Sequence, residues 1–226
     1  MWVKICATTN VEDALLAARA GASAVGFVFA EQSARRVTSE QVAEMSRALR
    51  DRWDFVERIG VFSSAELQAI PEIVADADLT GVQLHFGYSS YLAEYLRKSF
   101  GEGLRIIQTN HWRVGGQTAF AFAEELKELS HAAAIDDVLV DSRTAVADGG
   151  TGVTFDWEAA RTSLSALGEK PLIVAGGLTP RNVAEAIGVL QPWGVDVASG
   201  VEAQVGKKDA ARVRAFVENA RGKLEL

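Results

Sequence analysis

Four side chains that can hold or move a proton stand at or near the ends of short apolar runs. Cys6 closes the first such run, His85 the fourth and Asp141 the sixth, while Asp196 lies within the eighth. A thiol that is partly ionised can serve as a base, and a carboxylic acid with a raised pKa can serve as an acid. Cys6 and Asp141 therefore form a candidate acid–base pair, if the fold brings the ends of their strands to the same rim.

Each of these residues also has an ordinary structural interpretation. A single cysteine is usually a small buried hydrophobic residue. An aspartate at a strand end often caps a turn or a helix, and a histidine such as His85 can be a hydrogen-bonded core residue. Residue type alone does not choose between the two interpretations.

Two glycine-containing segments near the end of the chain point to an anionic ligand. Gly176 and Gly177 follow the apolar run 172–175, and Ser199 and Gly200 follow the run 195–198. Glycine lets the backbone approach a ligand closely, and a helix start offers N–H groups and the positive end of a dipole. The loops after strands 7 and 8 of a (β/α)₈ barrel commonly bind phosphate, so we expect a phosphorylated substrate.

Other residues and motifs suggest one further binding role and argue against metal, dinucleotide and serine-hydrolase sites. Arg35 and Arg36 could clamp a carboxylate, although adjacent arginines are also typical of a solvated surface. The histidines His85, His111 and His131 show no metal-ligand spacing, so no metal site is expected. Segment 150–155 lacks the third small residue of a dinucleotide-binding fingerprint, and no Gly-x-Ser-x-Gly elbow occurs.

The elements that must position these residues alternate between strand and helix. Strands are predicted at 3–6, 24–29, 55–62, 81–85, 104–108, 137–141, 172–175 and 195–198. Helices are predicted from the cap Asn10 to Gly21, and at 39–49, 64–74, 89–98, 120–129, 155–167, 180–190 (with Thr179 as N-cap) and 209–220. Strands that are apolar throughout are typical of a parallel sheet buried on both faces. Eight such repeats predict an α/β protein, a single (β/α)₈ TIM barrel over residues 1–226.

Composition excludes several classes of protein. The net charge of −7 argues against nucleic acid as a partner, because a phosphate backbone requires a cationic face. One cysteine excludes an internal disulfide. No signal peptide and no membrane-spanning run of about 18 apolar residues is recognised, so a cytoplasmic location without a membrane partner is expected. The long irregular stretch 142–154 is glycine-rich, and loops of this length are often functional.

A set of motifs in a fixed order resembles the phosphoribosylanthranilate isomerase family. The resemblance runs from Lys4 to the last helix. Its motifs are Lys4-Ile5-Cys6, Val25-Gly26-Phe27-Val28-Phe29 with Ser33-x-Arg35, Gly60-Val61-Phe62, Val82-Gln83-Leu84-His85, Gly149-Gly150-Thr151-Gly152, Ala175-Gly176-Gly177-Leu178, and Val195-Asp196-Val197-x-Ser199-Gly200-Val201-Glu202.

The resemblance implies a reaction and a role for each residue singled out above. Members of this family catalyse an Amadori rearrangement in tryptophan biosynthesis, in which an aminoaldose becomes an aminoketose without a cofactor. Cys6 is then the general base and Asp141 the general acid, and Arg35 lies near the anthranilate carboxylate. The remaining expectations are His85 and Asp196 as further substrate-binding residues; Gly176, Gly177, Ser199 and Gly200 as the phosphate cradle; and Gly149, Gly150 and Gly152 as a loop over the substrate. A monomer or a homodimer is compatible with the sequence.

Three features depart from the family pattern. Ala7 and Phe86 stand where glycine usually follows the cysteine and the histidine, and segment 108–112 has no match that we recognise. These departures leave two alternatives open. One is an isomerase of the same chemistry that acts on another phosphorylated aminoaldose, and the other is a non-catalytic barrel that binds a phosphorylated ligand.

Overall fold

Eight parallel strands close into a barrel at the centre of the molecule. Each strand pairs with its neighbours in chain order, and the first pairs with the eighth. The structure is a computed structural model that describes residues 1–63, 67–113, 118–143 and 157–222. It confirms the predicted (β/α)₈ architecture.

The strands and helices alternate along the described chain. The barrel strands are β1 Trp2–Ile5, β2 Ala24–Val28, β3 Glu57–Phe62, β4 Gly81–Leu84, β5 Arg105–Arg113, β6 Asp137–Arg143, β7 Leu172–Val174 and β8 Gly194–Val197. The helices are α1 Val11–Ala20, α2 Ser39–Trp53, α3 Ile70–Asp76, α4 Ser90–Phe100, α5 Ala119–Ser130, α6 Trp157–Leu164, α7 Val183–Leu190 and α8 Ala210–Ala220. A short antiparallel pair, β9 Glu202–Gln204 and β10 Lys207–Lys208, follows the eighth strand. No helix in the described ranges is long and apolar enough to cross a membrane.

Local signals explain where several helices begin and end. The side chain of Asn10 accepts a hydrogen bond from the Asp13 amide at 2.9 Å, and Gly21 ends α1 in the left-handed region with φ 90°. The predicted start of the seventh helix at Pro180 is wrong. Asn182 accepts a bond from the Thr179 amide and donates one to the Gly177 carbonyl, so this segment is a turn and the helix starts at Val183.

The inside of the barrel changes character along its axis. An apolar cluster begins at its amino-terminal end with Trp2, Ala24, Ile59, Ile107, Leu139 and Ile173, and Ala175, which follows β7, extends the cluster toward the other end. Polar side chains come next, because Lys4 contacts both Gln83 and Asp196 across the interior. Side chains alternate in direction along a strand. Cys6, two residues after Lys4, and His85, two residues after Gln83, therefore belong to the layer at the carboxyl-terminal rim.

Charged and aromatic residues close the opposite end of the barrel. The Arg105 guanidinium lies 5.6 Å from the ring centroid of Trp2 and 4.6 Å from that of Trp193, and these two rings stack on each other. Arg105 also pairs with Asp137 at 2.6 Å and with Glu57 at 2.8 Å. This end of the barrel is therefore closed by the stacked indole rings and the ion pairs of Arg105.

Candidate active site

Cys6 lies at the carboxyl-terminal end of β1 and is almost fully buried, with 6% of its surface exposed. Space for its sulfur exists because residue 26 is glycine: a Cβ there would lie 2.7 Å from Cys6 Sγ. Ala7, the departure next to the cysteine, has a positive φ of 58°. The amide of Ala7 donates to the thiol and favours the thiolate.

The buried environment of Cys6 sets its acidity. Burial raises the pKa of Cys6 to about 11, because removal from water disfavours the thiolate. The positive charge of Lys4 acts in the opposite direction, the Asp196 carboxylate raises the pKa further, and Lys208 lowers it. Cys6 is thus a strong base once it is ionised, and the neighbouring ammonium groups favour its ionisation.

A buried polar chain runs beneath the thiol. Lys4 is completely buried, donates to Gln83 Oε1, and lies 3.2 Å from Asp196 Oδ2. Burial alone would lower the pKa of Lys4, but Asp196 and Cys6 outweigh that effect and raise it. The ion pair with Asp196 therefore favours the charged form of Lys4 in the barrel interior. Asp196 lies inside the barrel as the ion-pair partner of Lys4, and its contact with the substrate stays a prediction.

Arg35 lies beside the mouth and already holds a carboxylate of the protein. Its Nε and Nη2 donate to Glu202 Oε1 and Oε2 at 2.8 and 2.7 Å, a bidentate pair. Burial alone would raise the pKa of Glu202, but Arg35 and Lys208 hold it below its usual range. The neighbouring Arg36 is exposed and lies 3.8 Å from Glu31. In this structure the bidentate partner of Arg35 is Glu202, and a contact of Arg35 with a substrate carboxylate stays a prediction.

The two glycine segments form tight turns after β7 and β8. Gly176 and Gly177 have φ values of 85° and 65°, which L-residues rarely adopt. A Cβ on Gly200 would lie 1.9 Å from the carbonyl oxygen of Leu178, so the two turns are in direct backbone contact. Ser199 opens a short 3₁₀ segment at this point. The four residues predicted to hold phosphate thus lie together at the carboxyl-terminal rim.

Three adjacent strands contribute one titratable residue each to the far side of the rim. His85 follows β4, while His111 in β5 is the register partner of Asp141 in β6. One ligand-type atom from each residue lies within 4.8 Å of the other two, and the histidine rings meet edge to face with centroids 4.7 Å apart. Asp141 lies three strands around the barrel from β1. The mouth therefore has a thiol on one side and an imidazole–carboxylate cluster on the other.

Sequence reasoning missed several members of this arrangement. The spacing of the histidines along the chain does not indicate a role for His111, because spacing overlooks residues that β-strand register brings together. Gly26 carried a usable signal, because a glycine inside a strand often marks a close approach. Gln83 had no such signal, although its amide nitrogen lies 3.0 Å from Thr109 Oγ1 and 3.5 Å from His85 Nδ1.

Two further expectations concern the surroundings of the mouth. Phe86 is partly buried, packs against the core between sheet and helices, and borders a cavity of about 250 Å³ shared with Gln108 and His111. Its side chain therefore has a packing role beside the rim. Gly149, Gly150 and Gly152, predicted to fold over the substrate, lie outside the described residues.

Comparisons with known proteins agree on one family. The family model described as N-(5'phosphoribosyl)anthranilate (PRA) isomerase matches residues 3–219. The N-(5'-phosphoribosyl)anthranilate isomerase of Geotalea uraniireducens (strain Rf4) is 40% identical over 220 residues, which are 97% of this chain and 98% of that protein.

Solved structures lead to the same family. The phosphoribosyl anthranilate isomerase of Thermotoga maritima superposes with a TM-score of 0.82 at 32% identity, covering 98% of this chain and 99% of that one. A phosphoribosyl anthranilate isomerase in complex with reduced 1-(o-carboxyphenylamino)-1-deoxyribulose 5-phosphate gives 0.77 at 31% identity, with the same coverage of both chains.

Proposed function

The chain belongs to the N-(5'-phosphoribosyl)anthranilate isomerase family of tryptophan biosynthesis, and from this premise we propose that it rearranges phosphoribosylanthranilate with Cys6 as base and Asp141 as acid. The single observation that carries the assignment is the placement of the two groups. A thiol above a buried ammonium ends β1, and a carboxylate beside two imidazoles lies on β6.

The first chemical step needs an acid. Opening of the furanose ring moves a proton from Asp141 to the ring oxygen, and the C1′–O bond breaks to give an open-chain Schiff base. Two imidazoles flank this carboxyl group, so further proton carriers lie beside the acid. No external reductant or oxidant enters, since the step only redistributes the bonding electrons of the substrate.

The second step needs a base. Cys6 removes the proton from C2′, and the electron pair moves into the C1′–C2′ bond to form an enolamine, which then tautomerises to the aminoketose. The α-proton of a Schiff base is acidified by the neighbouring C=N group, and a thiolate whose conjugate acid has a pKa of about 11 is basic enough to take it. Lys4 balances the charge of the thiolate while the proton is being transferred.

The substrate binds at the carboxyl-terminal rim, above the charged side chains of the barrel interior. The turns at Gly176–Gly177 and Ser199–Gly200 offer backbone N–H groups to the phosphate, and the absence of a side chain on Gly200 lets these turns meet. Arg35, held rigidly by Glu202, presents its third guanidinium nitrogen to the anthranilate carboxylate. Lys4 and Asp196 lie below the substrate and act on it through Cys6.

Two single variants test the assignment. Cys6→Ser and Asp141→Asn are each expected to lower kcat by about 10²–10⁴-fold, because each removes one proton-transfer group while it preserves shape. Turnover of phosphoribosylanthranilate is followed by the loss of anthranilate-type fluorescence. Asp51→Asn, at an exposed position of α2, is the matched control and should leave kcat unchanged. Near-normal kcat in either active-site variant would contradict its assigned role.

A further inference from the structure

We propose that His85, His111 and Asp141 form a binding site for a divalent transition-metal ion of the Zn²⁺ type, and that the bound ion inhibits the isomerase. Binding of the ion follows from the geometry alone. The inhibition rests on the proposed function, because it depends on Asp141 being the acid.

The three residues come from three consecutive strands or their ends, and their side chains meet at the carboxyl-terminal rim. His111 and Asp141 are paired in register, and His85 directly follows β4, whose Leu84 pairs with Gln108 of β5. The β-sheet backbone therefore holds the three Cα positions in place. An ion would cross-link three strands that are already rigid, so little chain entropy is lost on binding.

The donor set suits a borderline transition metal. Two imidazole nitrogens and one carboxylate oxygen are ligands that Zn²⁺ takes readily, and three protein ligands leave a fourth position for water, as in open zinc sites. Mg²⁺ and Ca²⁺ prefer sites made of oxygen ligands only. All three residues are half-buried, so an ion from solution can reach them.

The three ligand atoms must move closer together to bind one ion. The candidate ligand atoms lie within 4.8 Å of one another. Ligands bound to Zn²⁺ at tetrahedral angles are about 3.4 Å apart, so each side chain must move inward by roughly an ångström. The three groups belong to side chains with at least two rotatable bonds each, and such a movement needs no change in the strands.

Gln83 limits the affinity of the site. Its carbonyl oxygen accepts from Lys4, so its amide N–H group faces His85 Nδ1, 3.5 Å away. An ion would therefore take His85 Nε2, and the proton would move to Nδ1, where it meets the amide donor. Metal-binding histidines usually give this second proton to an acceptor. The site is thus expected to bind Zn²⁺ more weakly than a structural zinc site does.

Inhibition follows because the metal ion and the catalytic proton compete for the carboxylate of Asp141. A carboxylate that coordinates Zn²⁺ has lost its proton and cannot deliver one to the ring oxygen of the substrate. Cys6 is a poor alternative ligand at neutral pH, since its pKa is about 11 and metals bind the thiolate.

Calorimetric titration of the purified protein with ZnCl₂ tests the binding, with the visible ligand-field spectrum of added Co²⁺ as a second measurement. One ion per chain is expected. His111→Gln and His85→Gln should each lower the affinity on the order of 100-fold, whereas Cys6→Ser should not. His131→Gln is the matched control, because this exposed histidine lies outside the cluster. Gln83→Glu should tighten binding, since a carboxylate accepts the His85 proton.

Each result decides the proposal. Absence of a 1:1 complex, an affinity for Zn²⁺ in both cluster variants that equals that of the wild type, or loss of binding in Cys6→Ser would overturn the site. Zn²⁺ that binds at this site without lowering turnover, or whose inhibition EDTA does not reverse, would overturn the inhibitory role. A protein that binds Zn²⁺ as described but has no metal-free isomerase activity would refute the proposed function while the site stands.

Discussion

Removal of the buried charges beneath Cys6 should move its acidity in opposite directions. Lys4→Met deletes a positive charge and should raise the pKa of the thiol above 11, whereas Asp196→Asn deletes a negative charge and should lower it. A Cβ on Gly26 would lie 2.7 Å from the sulfur and 2.9 Å from Lys4 Cε, so the two side chains are close neighbours.

The size of the effect follows from Coulomb's law. With the ammonium at most about 7 Å from the sulfur and an effective dielectric constant of about 20, the interaction is worth about 2 kcal/mol. That energy corresponds to roughly one to two pKa units. In Lys4→Met the thiolate is therefore scarcer at neutral pH, and kcat should fall by about 10–100-fold if the thiolate is the base.

The rate of alkylation of the protein by iodoacetamide as a function of pH, measured by mass spectrometry, gives the pKa directly because Cys6 is the only cysteine in the chain. Lys4→Met also leaves Asp196 without its ion-pair partner, and breaking a buried pair typically destabilises a protein by about 3–5 kcal/mol. Asp196→Asn keeps an isosteric side chain in place, so it tests the argument even if Lys4→Met does not fold. An unchanged or raised thiol pKa in Asp196→Asn would refute the electrostatic reasoning.

Three other substitutions test the geometry of the rim. Gly26→Ala places a methyl group 2.7 Å from Cys6 Sγ, so kcat should fall at least tenfold, while circular dichroism should show an intact barrel; unchanged kcat would mean that the thiol position is not critical. Gly200→Ala drives a methyl group into the Leu178 carbonyl, and KM for the phosphorylated substrate should rise more than kcat falls. An equal effect on turnover with KM unchanged would argue against a phosphate cradle. Ala7→Gly relieves a left-handed φ of 58° and should raise the free energy of unfolding in urea by up to about 1 kcal/mol; a loss of stability would show that the conformation is not strained.

Acid should weaken the contact that holds Arg35. The pKa of Glu202 is lower in the folded protein than its ordinary value, so its stabilising contribution is present above that ordinary value and is lost as the pH falls through the folded-state pKa. In the wild type, unfolding free energy should therefore fall more steeply below about pH 4 than in Glu202→Gln. Parallel pH profiles for the two proteins would contradict the importance of this pair.

Strand–helix periodicity determined most of the architecture. Eight apolar runs alternate with capped helices, and the right-handed connection rule then allows few arrangements other than a barrel. Asn10 and Gly21 bound α1 as their residue types predict, because capping is a local interaction between neighbouring residues. The Thr179–Pro180 pattern predicts the start of α7 three residues too early. The Asn182 side chain binds the Thr179 amide and the Gly177 carbonyl, and these bonds form a turn in place of the first helical turn.

Residue types and a motif order were enough to propose Cys6, Asp141 and the phosphate turns from sequence. What only the tertiary structure decided is how charge is distributed around them. Asp196 pairs with Lys4 inside the barrel, Arg35 is held by Glu202, and His111 meets His85 and Asp141. These contacts join residues that lie between 26 and 192 positions apart in the chain. They depend on the strand register and on closure of β1 against β8, which no local pattern encodes, because electrostatic interactions follow distance in space and the exclusion of water.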